Sequence, residues 1–224
     1  MKFMKSVLAV LVCFLLISSC RTPKNKKQQL PYKNSSLPVE KRVNDLLERM
    51  TLDEKVAQMN MLSLNYLKFD KEGKVNEKYL DSLFKGGSIG TLESPFIGVD
   101  EISKLSEAAD NYMRKKTRLG IPPIQIAECL HGQLAFGATI FPQTIAQGST
   151  WNPELIKKMG AVIAQEASLS GVDQALSPIF DLARDPRFGR AEESFGEDPF
   201  LVAEMGKAFV IGMQGDRTAH LLPV

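Results

Sequence analysis

A parallel β/α fold is the architecture this sequence predicts, and three observations predict it. Stretches with strand character alternate with stretches of helical periodicity. The helices open on capping residues and close at glycines. The densest polar clusters directly follow apolar strand runs. The chain has 224 residues, 44% hydrophobic and 24% charged, enough to bury a sizeable core. Its formal charge of +2 hides an asymmetry, because residues 1–33 hold seven of the 28 basic residues (Lys2, Lys5, Arg21, Lys24, Lys26, Lys27, Lys33) and no acid. The remainder is mildly acidic, which argues against nucleic acid as a partner.

Taken in order, the chain begins with a processing signal. Residues 1–6 carry Lys2 and Lys5, residues 7–17 form an unbroken apolar run, and Ser18-Ser19-Cys20 follows. Such a run falls short of the roughly 20 residues a helix needs to span a bilayer. The arrangement resembles a bacterial lipoprotein signal, with residues 1–19 removed and Cys20 left as a lipidated N-terminus; a plain secretory signal or a short anchor helix is the alternative. Cys13 then leaves with the leader and Cys20 is modified, so Cys129 remains and no intramolecular disulfide forms.

Residues 20–37 are polar, basic and broken by proline, the composition of a flexible tether, which leaves residues 38–224 as the domain. Val43, Leu46, Leu47 and Met50 fall on one face of a helix over residues 39–50. Thr51 and Glu54 carry the capping-box signature for a second helix through Val56 and Met59. A glycine-punctuated strand is expected at 86–92, then a helix from 101 to about 119, capped by Asp100 and stopped by Gly120. The second strand is expected at 121–127, with prolines only at its start. Asn152-Pro153 opens a helix that stops at Gly171, residues 172–182 form the third strand, and Asp198-Pro199 opens a last helix stopping near Gly215.

In such folds, functional groups collect on loops beyond the C-terminal ends of strands. Two polar clusters lie there. Glu128 and His131 follow the second strand. The third runs into residues 179–199, IFDLARDPRFGRAEESFGEDP, which pack three arginines and six carboxylates. A carboxylate accepting hydroxyls and an arginine donating to another would make a monosaccharide pocket. Taken alone, Glu128 fits a surface or ion-paired carboxylate equally well. His131, followed by Gly132, suits a hydrogen-bonded brace better than a general base or metal ligand. Most charges of 179–199 are expected to form a rigid paired lattice with one arginine facing the ligand. Trp151 is expected to pack beneath its loop rather than stack on a sugar. His131 and His220 form no spaced metal set with Cys129, and no phosphate-cradling glycine motif occurs, so no metal or cofactor is implied.

Thr51-Leu52-Asp53-Glu54-Lys55, Glu128-Cys129-Leu130-His131-Gly132, Phe141-Pro142-Gln143, Trp151-Asn152-Pro153 and RDPRFGRAEESFGEDP, in this order, resemble the N-terminal domain of glycoside hydrolase family 3, the β-glucosidase and β-xylosidase family. The resemblance covers residues 39 to 215. It implies a TIM-like (β/α) barrel, of which this chain is the incomplete N-terminal part. It also implies retaining, exo-acting cleavage of terminal β-linked sugars by two carboxyl groups, with an oligosaccharide or aryl β-glycoside as substrate. By motif position, Glu128 matches the acidic residue that grips the terminal sugar and Arg184 an arginine that contacts it. His131, Asp185 and Arg190 are expected to brace them. Many β-glucosidases of the family carry aspartate at the position of Glu128, and β-xylosidase-like members often carry glutamate, so a lean towards pentosides is implied.

The family's Lys-His pair should follow at about residues 220–224, and its nucleophilic aspartate and acid/base residue further on, so no catalytic carboxyl is assigned here. A fragment inactive by itself is therefore expected, since a closed barrel takes about 250 residues. The leader places the protein in the bacterial periplasm or on the outer membrane through its lipid anchor. The rival reading is a non-catalytic periplasmic sugar-binding lipoprotein, which needs a second lobe that the sequence does not display.

Overall fold

The computed structural model describes residues 30–67, 75–94 and 96–215. The expected signal peptide, Cys20, the first part of the tether and His220 lie outside them. The chain divides into two units, Met1–Met50 and Thr51–Val224.

In the first unit, a 3-10 turn at Pro31–Lys33 precedes helix α1, Val39–Arg49. The two are tied by the Tyr32 N–H donating to Asp45 Oδ2 at 3.1 Å and Arg42 Nε donating to the Tyr32 carbonyl at 3.1 Å. The C-terminal end of the expected tether is therefore ordered. No residue of α1 is buried.

The second unit alternates as expected. Helix α2, Leu52–Ala57, leads to strand β1, Met61–Ser63, and helix α3, Glu77–Phe84. Strand β2, Thr91–Glu93, is followed by helix α4, Val99–Lys116, and strand β3, Ile124–Ala127. Helices α5, Thr144–Gly148, and α6, Pro153–Leu169, precede strand β4, Gln174–Ala175, and helix α7, Pro199–Gln214, closes the described chain. The strands form one parallel sheet in the order β1-β2-β3-β4.

Local chemistry explains the boundaries. Thr51 and Glu54 form the expected capping box, and Asn152 and Asp198 accept from the Leu155 and Leu201 N–H groups ahead of their prolines. Helix α4 starts two residues before its expected start, because Glu101 reaches back to the Gly98 N–H at 3.2 Å. Strand β3 begins only after Pro122 and Pro123, which have no N–H to donate. Strand β4 shrinks to two residues of the expected eleven because Pro178 ends its ladder. Strand β1 and helices α3 and α5 were not expected from the sequence.

The register separates two faces of the sheet. Thr91, Glu93, Ile124, Ile126 and Gln174 share one; Leu92, Gln125, Ala127 and Ala175 share the other. The second face meets the helices through two apolar clusters. One gathers Leu64, Leu80, Leu92, Leu105, Ala109 and Met113. The other gathers Ala127, Ala175 and the facing sides of α6 and α7, including Ile156, Ile163, Met205 and Phe209. Gln125 lies beside Leu92 of the first and one step along β3 from Ala127 of the second. It is buried, and neither of its amide atoms has a partner; the same holds for the hydroxyl of buried Ser106 on α4.

Helices α6 and α7 cross closely. A Cβ on Gly212 would lie 2.2 Å from the Lys157 carbonyl oxygen, and one on Gly160 would lie 2.8 Å from that of Phe209. The two backbones touch, which only glycine permits at these positions.

Candidate functional site

Glu128 directly follows β3. Glu93 stands opposite Ile126 in the β2–β3 register, so Glu93 and Glu128 are diagonal neighbours on one face at the C-terminal end of the sheet. Glu128 is half-buried, and burial pushes its carboxyl above the usual glutamate range. The Arg190 guanidinium opposes that shift, while Glu193 and Glu93 add to it. Sequence reasoning missed Glu93, although the rule that places Glu128 at a strand end applies equally to the last residue of β2.

The loop after Glu128 folds back on itself. The Phe141 N–H donates to the His131 carbonyl at 2.7 Å, and His131 Nδ1 lies 3.2 Å from the Phe141 carbonyl. A protonated Nδ1 closes this reciprocal pair and leaves Nε2 as an acceptor. Gly132 sits at the crossing with φ +127°, where a Cβ would be 2.2 Å from the Thr139 carbonyl oxygen. Gln147 of α5 donates through Nε2 to the Pro142 carbonyl at 2.8 Å and approaches that of Leu130 at 3.4 Å. Cys129 is fully buried, and burial followed by the Glu128 charge pushes its thiol up to about 12, so it stays protonated and unreactive.

The arginine-rich loop differs from the expected lattice. Arg187 pairs with Asp185 two residues away, and Arg190 pairs with Glu193 three residues away. The Arg187 side chain is 89% exposed, so the Asp185–Arg187 pair is a local surface contact rather than part of a buried network. Arg184 is exposed and turns its Nε to the Glu197 carbonyl at 3.4 Å. Of the three arginines, Arg190 is the one whose charge acts on Glu128. The loop is held instead by two fully buried residues, Ser194 and Phe195. The Ser194 hydroxyl lies 2.6 Å from the Asp181 carbonyl and accepts from the Gly196 N–H at 3.2 Å. A Cβ on Gly148 would lie 2.0 Å from the Phe195 carbonyl oxygen, so α5 presses on this loop as well as on the loop of Glu128.

Trp151 departs from its expected packing: it is 72% exposed and has φ +50°. The turn that ends α5 swings its backbone into the left-handed region, which carries the ring outward instead of beneath the loop. Among the described residues, no three His, Cys, Asp or Glu side chains are grouped to hold a metal ion.

The family model described as "Glycosyl hydrolase family 3 N terminal domain" matches residues 51–223. A putative β-xylosidase of Formosa agariphila is 36% identical over 193 residues, which cover 84% of this chain and 25% of that protein. A periplasmic β-glucosidase of Salmonella typhimurium is 34% identical over 178 residues, covering 79% and 21% respectively. The solved β-glucosidase of Listeria innocua in complex with glucose superposes with a TM-score of 0.62 at 36% identity, covering 79% of this chain and 24% of that one. This chain therefore spans about a quarter of the length of these relatives.

Proposed function

The chain belongs to glycosyl hydrolase family 3, and from that premise we propose that it forms part of a β-glycosidase releasing terminal β-linked glucose or xylose from oligosaccharides or aryl glycosides. The observation that carries this reading is Glu128, half-buried at the end of β3 with the Arg190–Glu193 pair beside it. A carboxylate so placed accepts sugar hydroxyls, and the buried setting strengthens each such bond. Arg184 is assigned a donor role to the same sugar, which needs its guanidinium to leave the Glu197 carbonyl. His131 ties its loop to the Phe141 carbonyl, while Asp185 and Arg190 make local ion pairs in a loop held by buried Ser194 and Phe195.

In this reading the reaction proceeds with retention. One carboxyl attacks the anomeric carbon as another protonates the leaving oxygen, and water then resolves the glycosyl-enzyme. Neither role is assigned to a residue of this chain, so residues 21–224 alone are expected to release nothing. From the leader and Cys20 we infer a lipid-anchored protein of the periplasm or outer membrane; the name of the Salmonella relative supports the compartment alone.

The test is hydrolysis of nitrophenyl β-glucoside and β-xyloside by the full-length enzyme of which this chain is read as a part. We expect turnover of both, with the xyloside favoured. Glu128→Asp, shorter by one methylene, should shift the ratio of kcat/KM values towards the glucoside by roughly tenfold, the scale of one methylene in a specificity pocket. No release from either substrate would overturn the reading, and an unchanged ratio would remove Glu128 from specificity.

A further inference from the structure

Residues 128–143 join β3 to α5 with no helix or strand of their own. Stretches that long without regular structure are uncommon in compact domains and are either functional or loose. This one is pinned. Its outward leg begins at Glu128, whose carbonyl accepts from the Leu134 N–H at 3.2 Å, and dips to Gln133, which is 1% exposed with its Oε1 2.9 Å from the Ser170 hydroxyl at the end of α6. At Phe136 the loop pairs with the start of α4: the Phe136 N–H donates to the Ile97 carbonyl at 2.9 Å, and the Val99 N–H donates to the Phe136 carbonyl at 3.0 Å.

The return leg is held at Thr139. Its N–H donates to Glu166 Oε2 at 2.8 Å, and its hydroxyl donates to Glu166 Oε1 at 2.7 Å. One carboxylate of α6 thus takes both donors of a residue 27 positions away in the sequence, and a carboxylate acceptor makes bonds about twice as strong as a neutral one. The Thr139 carbonyl is also the surface against which Gly132 closes, and two residues later Phe141 forms its reciprocal pair with His131. Holding the return leg therefore holds the outward leg, which carries Glu128.

We propose that Glu166 is a positioning residue of the candidate site, a clamp from α6 that fixes the loop in the shape that presents Glu128. The inference rests on the β-glycosidase reading for its consequence, because a sugar gripped by Glu128 is bound only as firmly as the loop is held. Glu166 is a fixed acceptor: it touches no substrate, moves no proton and contributes nothing to bond cleavage.

The test uses the full-length enzyme of which this chain is read as a part. Glu166→Gln keeps one acceptor and turns an amide donor towards a Thr139 donor, so the clamp opens on one side. Its KM for nitrophenyl β-xyloside should rise about tenfold, the scale of one hydrogen bond to a charged group. Its kcat should stay within about twofold of the parent, because grip on the sugar is lost while no bond-breaking group has moved. Thr139→Val, which keeps only the N–H, should raise KM likewise, and Thr139→Ser, which keeps both donors, should hold the parent value. Hydrogen exchange, read by peptide mass, should quicken over residues 128–141 in Glu166→Gln and Thr139→Val and stay unchanged over α4 and α7. An unchanged KM, a fall in kcat alone, or a Thr139→Ser variant as impaired as Thr139→Val would overturn the proposal. If the parent cleaved neither the xyloside nor the glucoside, the β-glycosidase reading would fall by itself. Exchange that quickens over 128–141 alone would then decide for the clamp, and exchange that is unchanged or quickens throughout the domain would decide against it.

Discussion

Half-buried beside two other carboxylates, Glu128 is easier to protonate in the folded protein than in the unfolded chain, burial being the larger cause. The folded state therefore binds this proton more tightly. Stability from this group is greatest below the ordinary glutamate range of about 4 and declines as pH rises through the window between that range and the raised value. Glu128→Gln should accordingly raise the melting temperature at pH 7, and the gain should vanish below about pH 4; an equal gain at both pH values would mean that its charge is not the cause. The charged carboxylate is thus held at a cost to the fold. Sequence order and strand-end logic put Glu128 just beyond β3, where it lies. They did not reveal that Arg190 rather than Arg184 is the guanidinium acting on it, because that depends on how the arginine loop folds around buried Ser194 and Phe195.

Helix starts were the most legible elements, because a cap is written within four residues: Thr51 with Glu54, Asn152 with Pro153, Asp198 with Pro199. Strands were less so. Strand β1 has three residues and β4 two, too few to display a period, and each exists through its neighbour's hydrogen bonds rather than its own pattern. The contact between α6 and α7 was invisible for a related reason, since a glycine in a helix gives no sign of what it faces. Gly212→Ala should cost about 2–3 kcal/mol, at the upper end for forcing one methyl into a packed interface, because its Cβ would meet the Lys157 carbonyl oxygen, which has no rotamer to change. Chemical denaturation would check this. A gain of up to about 1 kcal/mol, as at an exposed helical glycine, would mean that the helices separate freely.

At the scale of the molecule, the two apolar clusters are separated along β3 by Gln125, whose amide is buried without a partner. Leucine has a similar volume and no polar atoms to leave unmet. Gln125→Leu should therefore raise the unfolding free energy by about 1 kcal/mol or more, read as a higher denaturation midpoint, and a lower midpoint would show that the amide is hydrogen-bonded in solution. The parallel class was legible from the alternation of elements, whereas the division of the core was not, because it arises from which residues of distant strands share a face.

The strand order also has a meaning in time. In a parallel sheet ordered β1-β2-β3-β4, each strand pairs with the one made just before it. Delivered N-terminus first, the chain has the edge awaiting β2 already present when β2 arrives, and the same holds for β3 and β4. Synthesis adds to one growing margin of the sheet and never requires a finished pair to open for a latecomer. Order along the chain and order across the sheet coincide.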